Sequence, residues 1–167
     1  SAQIAVLQNR HDSASEILLV PVSGSSSGIL ITNSQQPPAP ALLEFVLPEL
    51  VTFQSADGLF TIHSRLFLPP GENVTNRPAV VYTHGGCERQ MYATFHFDST
   101  YGQFYALNQY MAVKLNMPVL SINYRGGPGY GVKFRAANAS GWQGASEYAD
   151  ILAGVRYLQS RPEVDGD

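Results

Sequence analysis

Two glycine-rich stretches hold the residues whose types and spacing could do chemistry. The first is VVYTHGGCERQM, residues 80–91, in which His84-Gly85-Gly86 follows an apolar run. The second is VLSINYRGGPGYG, residues 119–131, in which Tyr124-Arg125-Gly126-Gly127 follows another. Glycine after a buried strand lets backbone approach a reacting group with no Cβ in the way. The N–H groups of such a loop can then hold an oxyanion. On this reading His84, Gly85 and Gly86 form a candidate oxyanion-binding or loop-orienting segment. The competing reading is a tight turn between strand and helix whose glycines answer only to geometry, and three residues alone would favour it. The second glycine-rich turn, placed after the next strand, shifts the balance toward chemistry. Arg125 carries five donors that can tie several carbonyls together, so its first role is structural and substrate contact is the minor alternative. Trp142 reads as a packing residue in the loop before the second helix.

Other matches are accidental. Gly24-Ser25-Ser26-Ser27-Gly28 fits Gly-x-Ser-x-Gly literally, but a nucleophile elbow needs a strand-to-helix turn and β-type sequence follows it. Gly127, Gly129 and Gly131 lack the spacing of a dinucleotide loop, and no acidic residue stands about 20 positions on after a further strand. His11, His63 and His96 are isolated, and no motif nominates Asp57, Asp98, Asp150, Asp165 or Asp167 as a catalytic acid. Cys87 is the only cysteine, which excludes an internal disulfide and a cysteine-based metal site. Neither a cofactor nor a metal is expected.

The elements that must position these loops follow from periodicity. Gln3 to Gln8 and Glu16 to Val22 read as strands around a polar turn. Two Ser-, Gly- and Pro-rich stretches, 24–28 and 35–40, read as irregular connection and place a domain boundary near residues 33–41. A hairpin is expected across Ala56-Asp57-Gly58. The run from Ala79 to Tyr82 reads as a strand buried on both faces. Phe104, Leu107, Met111 and Leu115 predict a helix over 101–116 with an apolar stripe. Val119, Leu120 and Ile122 mark the next strand, and Tyr148, Ile151, Leu152, Val155 and Leu158 mark a second helix, closed by Arg161-Pro162. Strand, helix, strand, helix implies parallel pairing.

Composition narrows the class of partner. The chain has 167 residues, 14% of them charged and 44% hydrophobic, with a net charge of −3. No basic cluster is present to neutralise phosphates, so nucleic acid is not an expected partner. No apolar run approaches the roughly 18 residues of a membrane span, and residues 1–8 do not resemble a signal peptide. A soluble protein is expected, with the cytoplasm favoured although nothing fixes the compartment. The start at Ser1 and the turn-like Val-Asp-Gly-Asp end suggest a piece of a longer chain.

Taken together, HGGCERQM, NYRGGPGYG and GWQGASEYADILAGVRYL resemble the prolyl oligopeptidase family of serine peptidases, its acylaminoacyl-peptidase and dipeptidyl-peptidase-like members above all. PELVTFQSADGLFTIHSRLFLPP, residues 48–70, resembles the entry into that family's catalytic domain. The resemblance implies an α/β fold: residues 41–167 as the N-terminal half of an α/β-hydrolase, with a mixed, mostly parallel sheet. Residues 1–40 would be the last blade of a β-propeller and a linker. It implies that Gly86 is the oxyanion-hole glycine, and that His84 stands where some relatives place a hydroxyl-donating tyrosine. Cys87 departs from the proline many relatives carry after HGG. In such hydrolases the triad runs nucleophile, acid, histidine, so all three members would follow residue 167 and this chain alone would be inert. The expected partners are a peptide substrate and the rest of the catalytic domain and propeller. Two other readings stay open: an esterase or lipase on the same fold, and a truncated, non-catalytic product. An open hydrophobic edge is expected beside the strand at 119–123, and with it aggregation or poor folding of the isolated chain.

Overall fold

A computed structural model describes residues 2–23, 28–32, 44–86, 88–137 and 146–166. The expected domain boundary, the literal Gly-x-Ser-x-Gly match, Cys87 and Trp142 lie wholly or mostly outside those residues. Strands β1 (Gln3–Gln8), β2 (Glu16–Pro21) and β3 (Ile29–Leu30) form an antiparallel sheet in the order β1-β2-β3. Its β1–β2 loop rests on the rest of the chain. Phe95 N–H donates to Arg10 O at 2.9 Å and the Tyr105 hydroxyl to His11 O at 3.1 Å.

A second sheet has the order β4-β5-β7-β6, built from β4 (Glu49–Gln54), β5 (Thr61–Phe67), β6 (Val80–Thr83) and β7 (Val119–Asn123). The β4–β5 hairpin forms as its turn sequence requires. Ser55 Oγ donates to Asp57 Oδ1, the same oxygen accepts from Leu59 N–H, and Gly58 takes the positive φ of 70°. Among the described residues three helices accompany the sheet: α1 (Ser99–Val113), the short α2 (Val132–Arg135) and α3 (Ser146–Gln159). None among the described residues is long and apolar enough to cross a membrane.

Alternation along β7 divides the core. Leu120, Ile122 and the following Tyr124 join Ile62, Leu66, Phe134 and Leu158 in one cluster, while Val119 joins Phe67, Tyr105 and Ala112 in another. Period-two side-chain direction thus gives each face of the sheet its own core. Leu120 and Ile122 are wholly buried, each worth roughly 1.5–3 kcal/mol of transfer free energy.

Several expectations are corrected. The sheet is mixed but not mostly parallel: β6–β7 is parallel, whereas β4–β5 and β5–β7 are antiparallel. One helical crossover, β6-α1-β7, supplies one parallel pair, and the hairpin fills the other positions. For the same reason the strand at 119–123 has no open edge. It lies between β5 and β6, buried at all five positions, and among the described strands the edges are β4 and β6. The edge position of β6 leaves Val80 to Tyr82 half-buried and Thr83 exposed, rather than buried on both faces.

The apolar stripe expected on α1 points elsewhere, and that on α3 is met in part, with Leu158 buried and Ile151 packed against the same core. On α1 the buried positions are Tyr105, Asn108, Gln109 and Ala112, while Phe104, Leu107 and Leu115 are exposed. Gln109 tolerates burial because its amide pairs with both the N–H and the C=O of Val46, and also donates to the Tyr105 hydroxyl. On α3 the buried set is Asp150, Ala153, Gly154 and Leu158, with Tyr148 and Leu152 outside. A Cβ on Gly154 would meet Ile122 Cδ1 at 2.3 Å, so glycine here sets how closely α3 approaches β7. Helix α1 starts and stops earlier than predicted. The Asp98 carboxylate caps Thr100 N–H at 2.9 Å, and Asn116 at φ 57° ends the run.

Candidate active site

The loop after β6 is gripped from behind through its carbonyls. The Tyr124 hydroxyl donates to His84 O at 2.6 Å and lies 3.2 Å from Gly86 O, while the Tyr101 hydroxyl donates to Gly85 O at 3.0 Å. Three successive carbonyls therefore face tyrosine hydroxyls on two different elements. In front the loop is open. Gly85 and Gly86 are exposed, and a Cβ at Gly86 would have nothing within 4 Å. Gly86 sits at φ 65°, the left-handed region that only glycine enters without strain.

The chain beyond residue 86 is tied to the second glycine loop. Asn123, fully buried at the end of β7, accepts from Met91 N–H at 2.7 Å and donates to Met91 O at 3.0 Å and the Tyr130 hydroxyl at 2.9 Å. One amide thus behaves like an extra strand partner for residue 91. Gln90 lies so close to Gly129 that a Cβ there would come within 2.6 Å of its side chain, at a φ of 96°. His63 stacks on Tyr130 with ring centroids 4.4 Å apart. His96 accepts from Asp98 N–H through Nδ1 at 2.9 Å.

Arg125 is the hub of the turn after β7. Its guanidinium is forked onto Asp150, Nε to Oδ2 at 2.9 Å and Nη2 to Oδ1 at 2.7 Å, and its backbone N–H reaches Oδ2 at 3.0 Å. Nη1 reaches Asp57 Oδ2 at 2.6 Å, and the group lies 4.9 Å from the Phe60 ring centroid. Arg125 is 3% exposed and Asp150 0%. These contacts place Arg125 as a clamp between the β4–β5 turn, β7 and α3, away from solvent. Ser55's hydroxyl, then Arg125 and the Leu59 N–H, hold the Asp57 carboxyl down at about 2. Among the described residues no three His, Cys, Asp or Glu side chains converge on a metal-sized site.

His84 is buried, its ring stacked 4.3 Å from that of Tyr124, and neither ring nitrogen finds a partner among the described residues. Burial pushes its pKa down to about 4, with the neighbouring Gly85 and Gly86 backbone opposing the shift in part. A histidine that is neutral when folded but titrates near 6.5 when unfolded makes the unfolded state bind more protons between those values. Stability contributed here is complete above about pH 6.5 and is lost as pH falls toward 4. Thermal melts of the full-length protein at pH 7.5, 6 and 5 should therefore show a declining Tm. His84→Phe, which keeps the stack but cannot titrate, should flatten that decline; an equally steep decline in the variant would exclude His84 as its source.

Comparison with known proteins bears on this geometry. The sequence profile of the Prolyl oligopeptidase family matches residues 103–167. This stretch is similar to the prolyl oligopeptidase family. It takes in Asn123, Tyr124, Arg125 and α3 but begins within α1, so the loop at 84–86 lies outside it. No curated protein sequence matches the chain. Among solved structures, puromycin hydrolase superposes with a TM-score of 0.72 at 22% identity, over 98% of this chain and 23% of that one. Acylaminoacyl peptidase from Pyrococcus horikoshii does so with 0.67 at 21% identity, over 99% of this chain and 24% of its own. An acylaminoacyl peptidase bound to Z-Gly-Gly-Phe-chloromethyl ketone gives 0.67 at 22%, over 99% and 24%. The chain thus shares the fold of about a quarter of each of those proteins.

The structure brings His84, Gly85 and Gly86 together with Tyr124 and leaves Arg125 behind them, joined through the residue before it. Sequence reasoning missed Tyr101, the hydroxyl of Tyr124, Asn123, and both carboxylates that hold Arg125. One signal was present for the last: Asp150 is an acidic residue at a helix position flanked by apolar ones, where only a buried partner makes it tolerable.

Proposed function

We propose that this chain provides one side of the oxyanion hole in a serine-type peptidase of the prolyl oligopeptidase family, with the Ser-Asp-His triad beyond residue 167. The observation that carries the reading is Gly86: exposed, held at φ 65°, open in front and fixed from behind. In the reaction a serine oxygen adds to the scissile carbonyl while histidine takes its proton. The carbonyl oxygen becomes an oxyanion, and the Gly86 N–H donates to it together with the N–H of the residue after the nucleophile. Collapse expels the amine, which receives the proton from histidine, and water repeats the sequence on the acyl-enzyme. No cofactor is required.

Two features support placing the missing chemistry downstream. Residues 163–165 run beside Arg77 as a parallel bridge, with Arg77 N–H donating to Glu163 O at 3.0 Å and Asp165 N–H to Arg77 O at 2.8 Å. The chain thus heads into the neighbourhood of β6 in the direction a further parallel strand would take. At the other end, β1–β3 are suited to the final blade of a propeller. The esterase reading keeps the same loop for the same electrostatic purpose, and the β-sheet before the hydrolase segment favours the peptidase.

The test is chemical labelling. The full-length protein should react with a fluorophosphonate at one serine and with Z-Gly-Gly-Phe-chloromethyl ketone at one histidine, both beyond residue 167. Peptide p-nitroanilides should be turned over, not only p-nitrophenyl esters. Label on residues 1–167 would overturn the placement of the triad, and turnover confined to esters would select the esterase.

A further inference from the structure

We infer that Tyr101 is a positioning residue for the oxyanion donor: by holding the Gly85 carbonyl it aims the Gly86 N–H at the reacting oxygen. The inference rests on the oxyanion reading and deepens it. A peptide unit is planar and trans, so the carbonyl of one residue and the N–H of the next point in opposite directions. Whatever fixes Gly85 O therefore fixes the direction of Gly86 N–H. The Tyr101 hydroxyl, 3.0 Å from Gly85 O, lies on one side of this peptide. Gly86 itself is exposed, and a Cβ there would meet nothing within 4 Å.

The peptide between residues 85 and 86 is the one most in need of a tie. It has glycine on both sides, and glycine populates either sign of φ at little cost, so the unit can rotate freely unless an outside group restrains it. Tyr124 restrains the carbonyls of His84 and Gly86 but not the one between them. Nor does Tyr101 stand there merely as packing against a necessary glycine. A Cβ at Gly85 would lie 3.7 Å from its hydroxyl, an ordinary contact, so the glycine is not needed to admit the tyrosine. The tyrosine itself is well anchored. It lies in the first turn of α1, behind the Asp98 cap, with the Arg89 guanidinium 5.9 Å from its ring centroid and the His96 ring 5.2 Å away.

The experiment is steady-state kinetics on the full-length protein as wild type, Tyr101→Phe and Gly86→Ala, with a chromogenic peptide p-nitroanilide, and phenylboronic acid as the probe of tetrahedral binding. Tyr101→Phe keeps the ring and its neighbours and removes only the hydroxyl. It should lower kcat by about three- to tenfold, the rate equivalent of one solvent-accessible hydrogen bond. KM and Tm should stay unchanged, and phenylboronic acid should bind more weakly by the same factor. An unchanged kcat, or a loss of kcat matched by a fall in Tm or a rise in KM, would overturn the role of Tyr101 while leaving the oxyanion reading intact, provided Gly86→Ala is impaired. If Gly86→Ala is as fast as wild type with no fall in Tm, the loop has relaxed without cost to the reaction, the oxyanion reading fails and the inference falls with it.

Discussion

Asp150→Ala should destabilise the domain by about 3–5 kcal/mol, the range for removing one partner of a buried ion pair. Asp150 is wholly buried and its two oxygens receive three N–H groups of Arg125 within 3.0 Å. Without them the guanidinium stays buried with Asp57 as its remaining anion among the described residues. That side chain is 41% exposed, and water weakens its hold. Total stabilities of about 5–15 kcal/mol leave little margin for such a loss. Asp57→Ala should cost far less, because an exposed pair contributes only about 0–1 kcal/mol and the remainder is local turn geometry. Replacing both buried partners with apolar residues, Arg125→Met with Asp150→Leu, should cost less than Asp150→Ala, since no charge is then stranded, but still about 1–3 kcal/mol for the Arg125 N–H left without its acceptor. Urea denaturation followed by circular dichroism would rank the three. A single Asp150→Ala variant within about 1 kcal/mol of wild type would show that the fork is not what holds the turn. The effect should also reach the site, because Arg125 follows Tyr124, whose hydroxyl holds the His84 carbonyl.

What could be read from the sequence follows the range of the physics involved. The hairpin around Asp57 and Gly58, the glycine loop at 84–86 and the β6-α1-β7 unit depend on neighbours a few residues apart, and each formed near its expected place. Strand order did not follow from such rules. The hairpin strand β5 inserted beside β7 and so closed the edge expected to be open, a pairing between residues 63–67 and 119–123 that no local pattern encodes. The helix faces went wrong for a different reason. Hydrophobic periodicity assumes that polar residues face water, whereas Gln109 and Asp150 are buried because each satisfies its polar atoms with a specific distant partner. Within the candidate site, the open loop at Gly86 was legible because its glycines are a local signature. Tyr101 was not, since it acts through a hydroxyl on a carbonyl 16 positions earlier.

Gly86→Ala should lower kcat by about tenfold to a thousandfold while leaving KM and Tm nearly unchanged. At φ 65° a Cβ costs roughly 1–2 kcal/mol in backbone conformation, although the space around it is open. Two responses are available. If the alanine stays in place under strain, the N–H keeps its aim and the penalty falls on the stability of an exposed loop. If the loop relaxes by rotating φ to negative values, the peptide before residue 86 turns with it and the donor is lost to the reaction. Loss of one oxyanion donor costs about 100- to 1,000-fold in rate, so partial relaxation gives the lower part of the range. The Tyr101 hydroxyl opposes this rotation through Gly85 O, and Tyr124 does so through the flanking carbonyls. Gly86→Ala and Tyr101→Phe should therefore not be additive. Once the donor has rotated away, removing the hydroxyl that aimed it has little left to change, and the double variant should be only marginally slower than Gly86→Ala alone. Full multiplicative losses would mean that the two residues act on the reaction separately, and that Gly86 owes its direction to something other than the Tyr101 contact.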